Sequence, residues 1–287
     1  MKNRSLLPLL FAFWFGGCSG LWAQLDLRLE SPKPSYLQYA PIPVAIHLKN
    51  LGAQDLVLQE NQCQPWLEML IQSSDGLLIR PDKPMPMPDL TLKAGEIREL
   101  RLDLAPYFLV RDPGAYRVRA SVRVPSGDNL LTDPVSFLIG RGEVVWTVPR
   151  GDGKDQRIFS LLRYYEDPNV GLYLRVEVPG KNQVFPSQRL GPYLPIGKPM
   201  AEFDADSHLH LLYPVASGRY RLTVCNQDGD ILREENRQET IEKPKLKKSP
   251  DGLVEVVGGT VILPSNLREK LSSLQSRAGA SGASPAP

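Results

Sequence analysis

The chain has 287 residues, room for two ordinary domains, and its 42% hydrophobic and 23% charged content supports packed cores. With 34 lysines and arginines against 32 aspartates and glutamates there is no strong net field, which excludes global attraction to nucleic acid or an anionic membrane. No Gly-x-Ser-x-Gly elbow, His-Glu-x-x-His motif or phosphate-binding Gly-rich loop occurs, so the usual enzyme signatures are missing.

The opening residues, MKNRSLLPLLFAFWFGGCSGLWAQ, place Lys2 and Arg4 before an uncharged apolar run that ends in small residues, the layout of a secretory signal peptide over 1–23. Cleavage after Ala23 starts the mature chain at Gln24 and leaves 32 basic against 32 acidic residues, because only Lys2 and Arg4 are lost. Gly16-Gly17-Cys18 offers a second reading, lipidation of Cys18, with Phe15 standing where a lipobox usually has Leu. The stretch from Ser5 to Leu25 is also long enough for an uncleaved anchor. Membrane attachment follows only from one of these two alternatives. Export also bears on Cys63 and Cys225, which either pair in an oxidising compartment or stay as two free thiols.

From residue 25 onwards the pattern is that of strands. Leu25, Leu27 and Leu29 alternate with Asp26, Arg28 and Glu30, and Ile42, Val44, Ile46 and Leu48 line one side of the next run. The same period of two returns at Leu100 to Leu104 and at Leu172 to Val178. Turn chemistry breaks these runs at NLGAQD, SSDG, KAGE, RDPG, PSGDN and NQDGD, and the 27 prolines suit strand ends and edges. An all-β chain is expected, with a body over 25–140 and a second over 144–240.

One motif occurs twice, as GAYRVRASVRV from Gly114 and as GRYRLTVCN from Gly218. Alternation predicts that Tyr116, Val118, Ala120 and Val122 face one way, and likewise Tyr220, Leu222 and Val224 against Arg221, Thr223 and Cys225. A tyrosine at the start of such a strand resembles the tyrosine corner of immunoglobulin-like and fibronectin-type sandwiches. Together with PIPVAIHLKNLGAQDLVL, LEMLIQSSDGLLI and LKAGEIRELRLDL, the first half looks like the Ig-like domains of exported bacterial proteins, including those similar to the intracellular proteinase inhibitor group. The resemblance implies two tandem Ig-like β-sandwiches with corners at Tyr116 and Tyr220. It carries over neither an inhibitory activity nor a site residue.

Beyond residue 240, EKPKLKKSPDG reads as a basic linker whose lysines 243, 245, 247 and 248 could meet phosphate or an anionic polymer but are more simply solvated. VEVVGGTVIL then predicts a hairpin around Gly258-Gly259, completing a linker-and-hairpin segment over 241–263 that must dock on a domain or partner to be stable. Over 264–287, Ser265 caps a short helix with Leu267, Leu271 and Leu274 on one face, before a disordered tail.

The best candidate for chemistry is DADSHLH. If the segment is extended, Asp206, His208 and His210 share a face and offer zinc three ligands, while Leu209 and Leu211 make the opposite, buried face; the plainer reading leaves the histidines in solvent without metal. His47 lies in the other half. Arg117, Arg119 and Arg123 form an outward stripe suited to an anionic glycan or to pairing with Glu99 or Asp103. Met85 and Met87 in KPMPMPD offer two soft ligands, and Arg150-Gly151-Asp152 sits among ordinary turn residues. The composite expectation is an exported, non-catalytic binding or assembly module of the bacterial cell envelope or exterior, with no cofactor and with a protein or envelope polymer as partner. The alternatives are a metal-dependent binder or enzyme using Asp206, His208 and His210, and a protease inhibitor acting through loop 81–89.

Overall fold

The computed structural model describes residues 25–61 and 64–262, and among them the regular structure is almost all strand. The signal segment with Cys18, the Cys63 thiol and the helix from Ser265 lie outside the described residues. No helix among those residues is long and apolar enough to cross a membrane.

The first half contains β1 (Leu25–Glu30), β2 (Ser35–Leu37), β3 (Pro43–Asn50), β4 (Leu56–Leu58), β5 (Leu67–Ser73), β6 (Leu78–Ile79), β7 (Leu90–Leu92), β8 (Ile97–Asp103), β9 (Gly114–Arg123), β10 (Asn129–Leu131) and β11 (Val135–Gly140). One sheet has the order β1-β3-β8 and the facing sheet β2-β11-β9-β5-β6, with β10 added to β9 and a small β4-β7 ladder at the side. The alternation seen in the sequence decides which side chains meet: Ile46 and Leu48 from one sheet, Ile71, Val118 and Val122 from the other, all without exposed surface in a shared core. Asn50, like Thr132, is a buried polar exception; its amide donates to the carbonyls of Gln54 and Leu92 while its oxygen accepts from the Gly52 N–H, fixing the NLGAQD turn.

The second half contains β12 (Glu143–Arg150), β13 (Arg157–Glu166), β14 (Asn169–Val178), β15 (Gln183–Val184), β16 (Gln188–Pro192), β17 (Met200–Phe203), β18 (Leu209–Ala216), β19 (Arg219–Cys225), β20 (Ile231–Gln238), β21 (Lys245–Lys248), β22 (Val254–Val257) and β23 (Thr260–Val261). Its sheets are two antiparallel meanders, β12-β13-β14 followed by β15 and β16, and β17-β18-β19-β20-β23, enclosing a second core around Phe159, Leu174, Leu211 and Tyr213.

This arrangement corrects the expectation of a second Ig-like body. In the first copy of the repeated motif, β8 belongs to one sheet and β9 to the other, so the chain crosses the end of the sandwich before Tyr116. In the second, β18 and β19 pair directly as a hairpin, Leu212 opposite Leu222 and Leu209 opposite Cys225. The shared Gly-x-Tyr-Arg pattern marks a strand entered from a turn in both places, and only one of those turns passes between sheets.

β19 alternates as expected but is buried on both faces. Thr223 and Cys225 point into the second core, whereas Tyr220, Leu222 and Val224 lie on the outer face with Leu212. That outer face is covered by Leu246 and Val256 of the β21–β22 ladder. The docked hairpin is therefore KLKK against VEVV, turning through Ser249 to Leu253, and Gly258-Gly259 instead carry the chain from β22 to β23 on the edge of β20. A Cβ on Gly259 would lie 2.8 Å from the Gln238 carbonyl oxygen, at φ +64, so this step requires glycine.

The halves meet across a compact joint. Leu37 and Ala40 pack on Leu162 and Tyr173, Ser187 donates its N–H to the Tyr39 carbonyl and its hydroxyl to that of Gln38, and the Lys33 ammonium reaches Glu166 at 3.0 Å. Gly140, at the end of β11, has the Tyr164 ring where a Cβ would stand, at 2.6 Å.

Candidate functional site

The DADSHLH segment forms the loop between β17 and β18. It is a tight turn at its first half and a strand only from Leu209, because Asp204 closes it: the Asp204 N–H donates to the His208 carbonyl at 3.0 Å, and the His208 N–H returns to Asp204 Oδ1 at 2.8 Å. Ser207 takes φ +64 within this turn. The second carboxylate oxygen, Asp204 Oδ2, sits 2.9 Å from His210 Nε2 and 3.3 Å from His208 Nδ1. Asp204, Asp206 and His208 bring ligand atoms within 4.8 Å of one another. Burial raises the pKa of the Asp204 carboxyl, but the bonds from His210 and from the His208 N–H outweigh it and hold the group below the ordinary aspartate value.

The expected set of Asp206, His208 and His210 on one extended face is thus corrected. The residues converge through a turn, and the hub is Asp204, which the strand reading passed over. An Asp four residues before a His, with Ser between, is the available signal, since Asp side chains close such turns. Leu209 and Leu211 do fill the core from the opposite face, but His210 has a side chain only 12% exposed and does not stand free in solvent.

A second feature lies in the first half. β5 pairs with β9 along its whole length, yet on its other side only Ile71 and Gln72 pair with β6. The Ser73 N–H donates to Leu77 on that side, and the Trp66 carbonyl accepts from Arg123 on the β9 side. Backbone groups alternate along a strand, so Leu67 and Met69 turn their N–H and C=O groups towards an edge that, among the described residues, no strand pairs at those positions. Prolines 81, 84, 86 and 88 keep the chain after β6 from continuing the ladder, since proline has no N–H to offer. This segment instead bows outwards, held by the Pro81–Phe108 bridge and by the Trp66 indole bond to the Pro88 carbonyl at 3.1 Å. Between strand and loop lies a groove of about 570 Å³ lined by Pro65, Trp66, Met69, Pro84, Met85 and Met87. Met85 and Met87 pack against the core here, so loop 81–89 is a wall of the groove.

Three other strands with an open or partly open side are guarded. β8 carries Arg98, Glu99, Arg101 and Asp103, β20 carries Arg233, Glu234, Glu235 and Arg237, and β12 is interrupted by a bulge between Val144 and Trp146.

The remaining sequence candidates are placed as follows. Tyr116 donates its hydroxyl to the Asp112 carbonyl at 2.7 Å, whereas the Tyr220 hydroxyl meets Lys243, whose ammonium lies 5.9 Å from the ring centre. Tyr220 is therefore no corner. Cys225 is a free thiol sealed in the second core, where burial pushes its pKa up to about 12. The Arg117 and Arg119 stripe faces Gln72 and Leu70 of β5, not Glu99 or Asp103, because β8 lies in the other sheet. Glu99 pairs with Arg101, and Asp103 accepts from the Ile42 and Ala105 N–H groups. Arg150 of the Arg-Gly-Asp tripeptide stacks on Phe203, 4.7 Å from its centre. His47 lies 3.6 Å from Glu30 on β1.

The joint holds the group with the largest shift among the carboxylates. Glu166, with 8% of its side chain exposed, accepts bonds from Arg189, Tyr173 and Lys33. Burial alone would raise its pKa; the three donors overcome that and bring it down to about 2.

No protein-family model matches the chain, and no curated protein matches it. Among solved structures, the chain is similar to the CARDB domain of the PF1109 protein from Pyrococcus furiosus, with 15% identity and a TM-score of 0.27 over 49% of this chain and 100% of that one. It is similar to a β-glucosidase from Listeria innocua at 17% identity and TM-score 0.27, covering 41% of this chain and only 16% of the glucosidase. A third likeness is to the SafA pilin–SafB chaperone complex of Salmonella enterica, at 10% identity and TM-score 0.23, over 74% and 96% of the two chains. Superpositions this loose determine no activity.

Proposed function

We propose that the chain is an exported, non-catalytic binding or assembly module of the bacterial cell envelope or exterior, whose first half is an Ig-like sandwich that takes up an extended polypeptide along β5. The unpaired backbone of Leu67 and Met69 carries this reading. An N–H and C=O row at strand spacing is matched by another peptide backbone, and the adjoining Trp66, Met69, Met85 and Met87 groove accepts alternate apolar side chains of the incoming strand. Methionines suit such a surface because they repack around different residues. The apolar, signal-like opening supports export, and the crossing order of β8 and β9 with the Tyr116 bond supports the Ig-like assignment.

Selection of displayed random peptides on the purified chain tests this. Enriched peptides are expected to carry alternating apolar residues, to slow hydrogen exchange at the Leu67 and Met69 amides, and to lose at least tenfold in affinity against Met85→Lys and Met87→Lys. Failure to enrich any peptide, or binding that ignores both substitutions and leaves those two amides unprotected, overturns the reading.

A further inference from the structure

We propose that Asp204, Asp206 and His208 form a zinc site in the β17–β18 loop, with His210 holding the Asp204 carboxylate, and that zinc clasps this loop against the turn between β21 and β22. The proposal is independent of the peptide-binding edge, which lies in the other half of the chain.

Three observations carry it. The donor positions are set by bonds that owe nothing to a metal: Asp204 and His208 close the turn on each other, and His210, on β18, holds Asp204 Oδ2. The donor separations fit. Zinc bonds of about 2.0 Å in a tetrahedron place neighbouring ligand atoms about 3.3 Å apart, and Asp204 Oδ2 lies 3.3 Å from His208 Nδ1. Asp206 completes a trio with Asp204 and His208 whose ligand atoms lie within 4.8 Å. The donor types select the ion, since an imidazole with carboxylate oxygens suits zinc, whereas calcium and magnesium favour oxygen alone.

The consequence follows from what the loop touches. The Ala205 N–H donates to the Gly252 carbonyl at 3.1 Å, and a Cβ on Gly252 would lie 2.9 Å from that of Ala205, so the loop already rests on the turn of the C-terminal hairpin. A metal fixing Asp204, Asp206 and His208 rigidifies this contact. The competing account makes Asp204 only a shared acceptor for two imidazole N–H groups.

Zinc titration of the full chain by calorimetry, with magnesium and calcium as controls, decides between them. One zinc per chain is expected, with a raised thermal midpoint and a visible cobalt(II) spectrum of tetrahedral type on cobalt substitution. Asp204→Asn keeps an oxygen to cap the His208 N–H and is expected to weaken zinc by at least thirtyfold, as is His208→Ala; Asp206→Asn is expected to cost several-fold. Should Asp204→Asn not fold, the His208→Ala and Asp206→Asn pair, checked by cooperative unfolding, gives the same readout. Substoichiometric zinc, or unchanged affinity in the folded variants, overturns the proposal.

Discussion

Tyr116 and Tyr220 begin the same short motif and have different tasks. Tyr116 is buried, and its hydroxyl ties β9 back to the Asp112 carbonyl four residues upstream. Tyr116→Phe leaves that carbonyl without its partner and is expected to cost about 1 kcal/mol in denaturant unfolding. Tyr220→Phe loses only a contact with the fully exposed Lys243 and is expected to leave the denaturant midpoint close to that of the parent. A larger loss at Tyr220 than at Tyr116 would contradict the assignment of the single corner. The periodicity of each copy was legible in the sequence, because alternation is local. Whether the preceding turn crosses between sheets was not, because that depends on which strands later pair.

Among elements, the β21–β22 hairpin explains the double-sided burial of β19. A two-stranded ribbon is marginal in water, and this one is stabilised by covering Leu212, Tyr220, Leu222 and Val224. Leu246→Asp puts a charge against that apolar face and is expected to lower stability by about 1–3 kcal/mol, accompanied by increased binding of a hydrophobic dye. Unchanged stability would mean that the hairpin does not cover the sheet. The lysines of KLKK marked a linker in sequence terms, since strand residues on an exposed ribbon alternate too weakly to announce themselves. Likewise the β5 edge was invisible locally: Leu67 and Met69 read as core residues, and only the short reach of β6 and the prolines beyond it leave their backbone groups open.

For the whole molecule, the joint between the halves depends on Glu166. Its folded pKa of about 2 lies below the ordinary 4.5, so the unfolded chain takes up this proton first as pH falls. The stabilisation is therefore complete above about pH 4.5 and is lost between there and about pH 2. Glu166→Gln leaves the half-exposed Lys33 and Arg189 without their carboxylate and is expected to cost about 2 kcal/mol at neutral pH. It should also flatten the acid limb of the stability curve in that window; an unaltered acid limb would show that Glu166 does not couple to folding.

By itself the sequence determined what is local and periodic: strands, turns, the buried faces of β1, β3, β9 and β14, and the presence of an Asp- and His-bearing segment. Tertiary structure decided the rest. It made the second half a pair of meanders, moved the hub of the Asp–His group to Asp204, set Glu166 among three donors from both halves, and, among the described residues, left one side of β5 without a strand at Leu67 and Met69. Side-chain alternation depends on a residue's immediate neighbours, whereas strand order, loop closure and edge exposure depend on partners tens to hundreds of residues away, which no local pattern encodes.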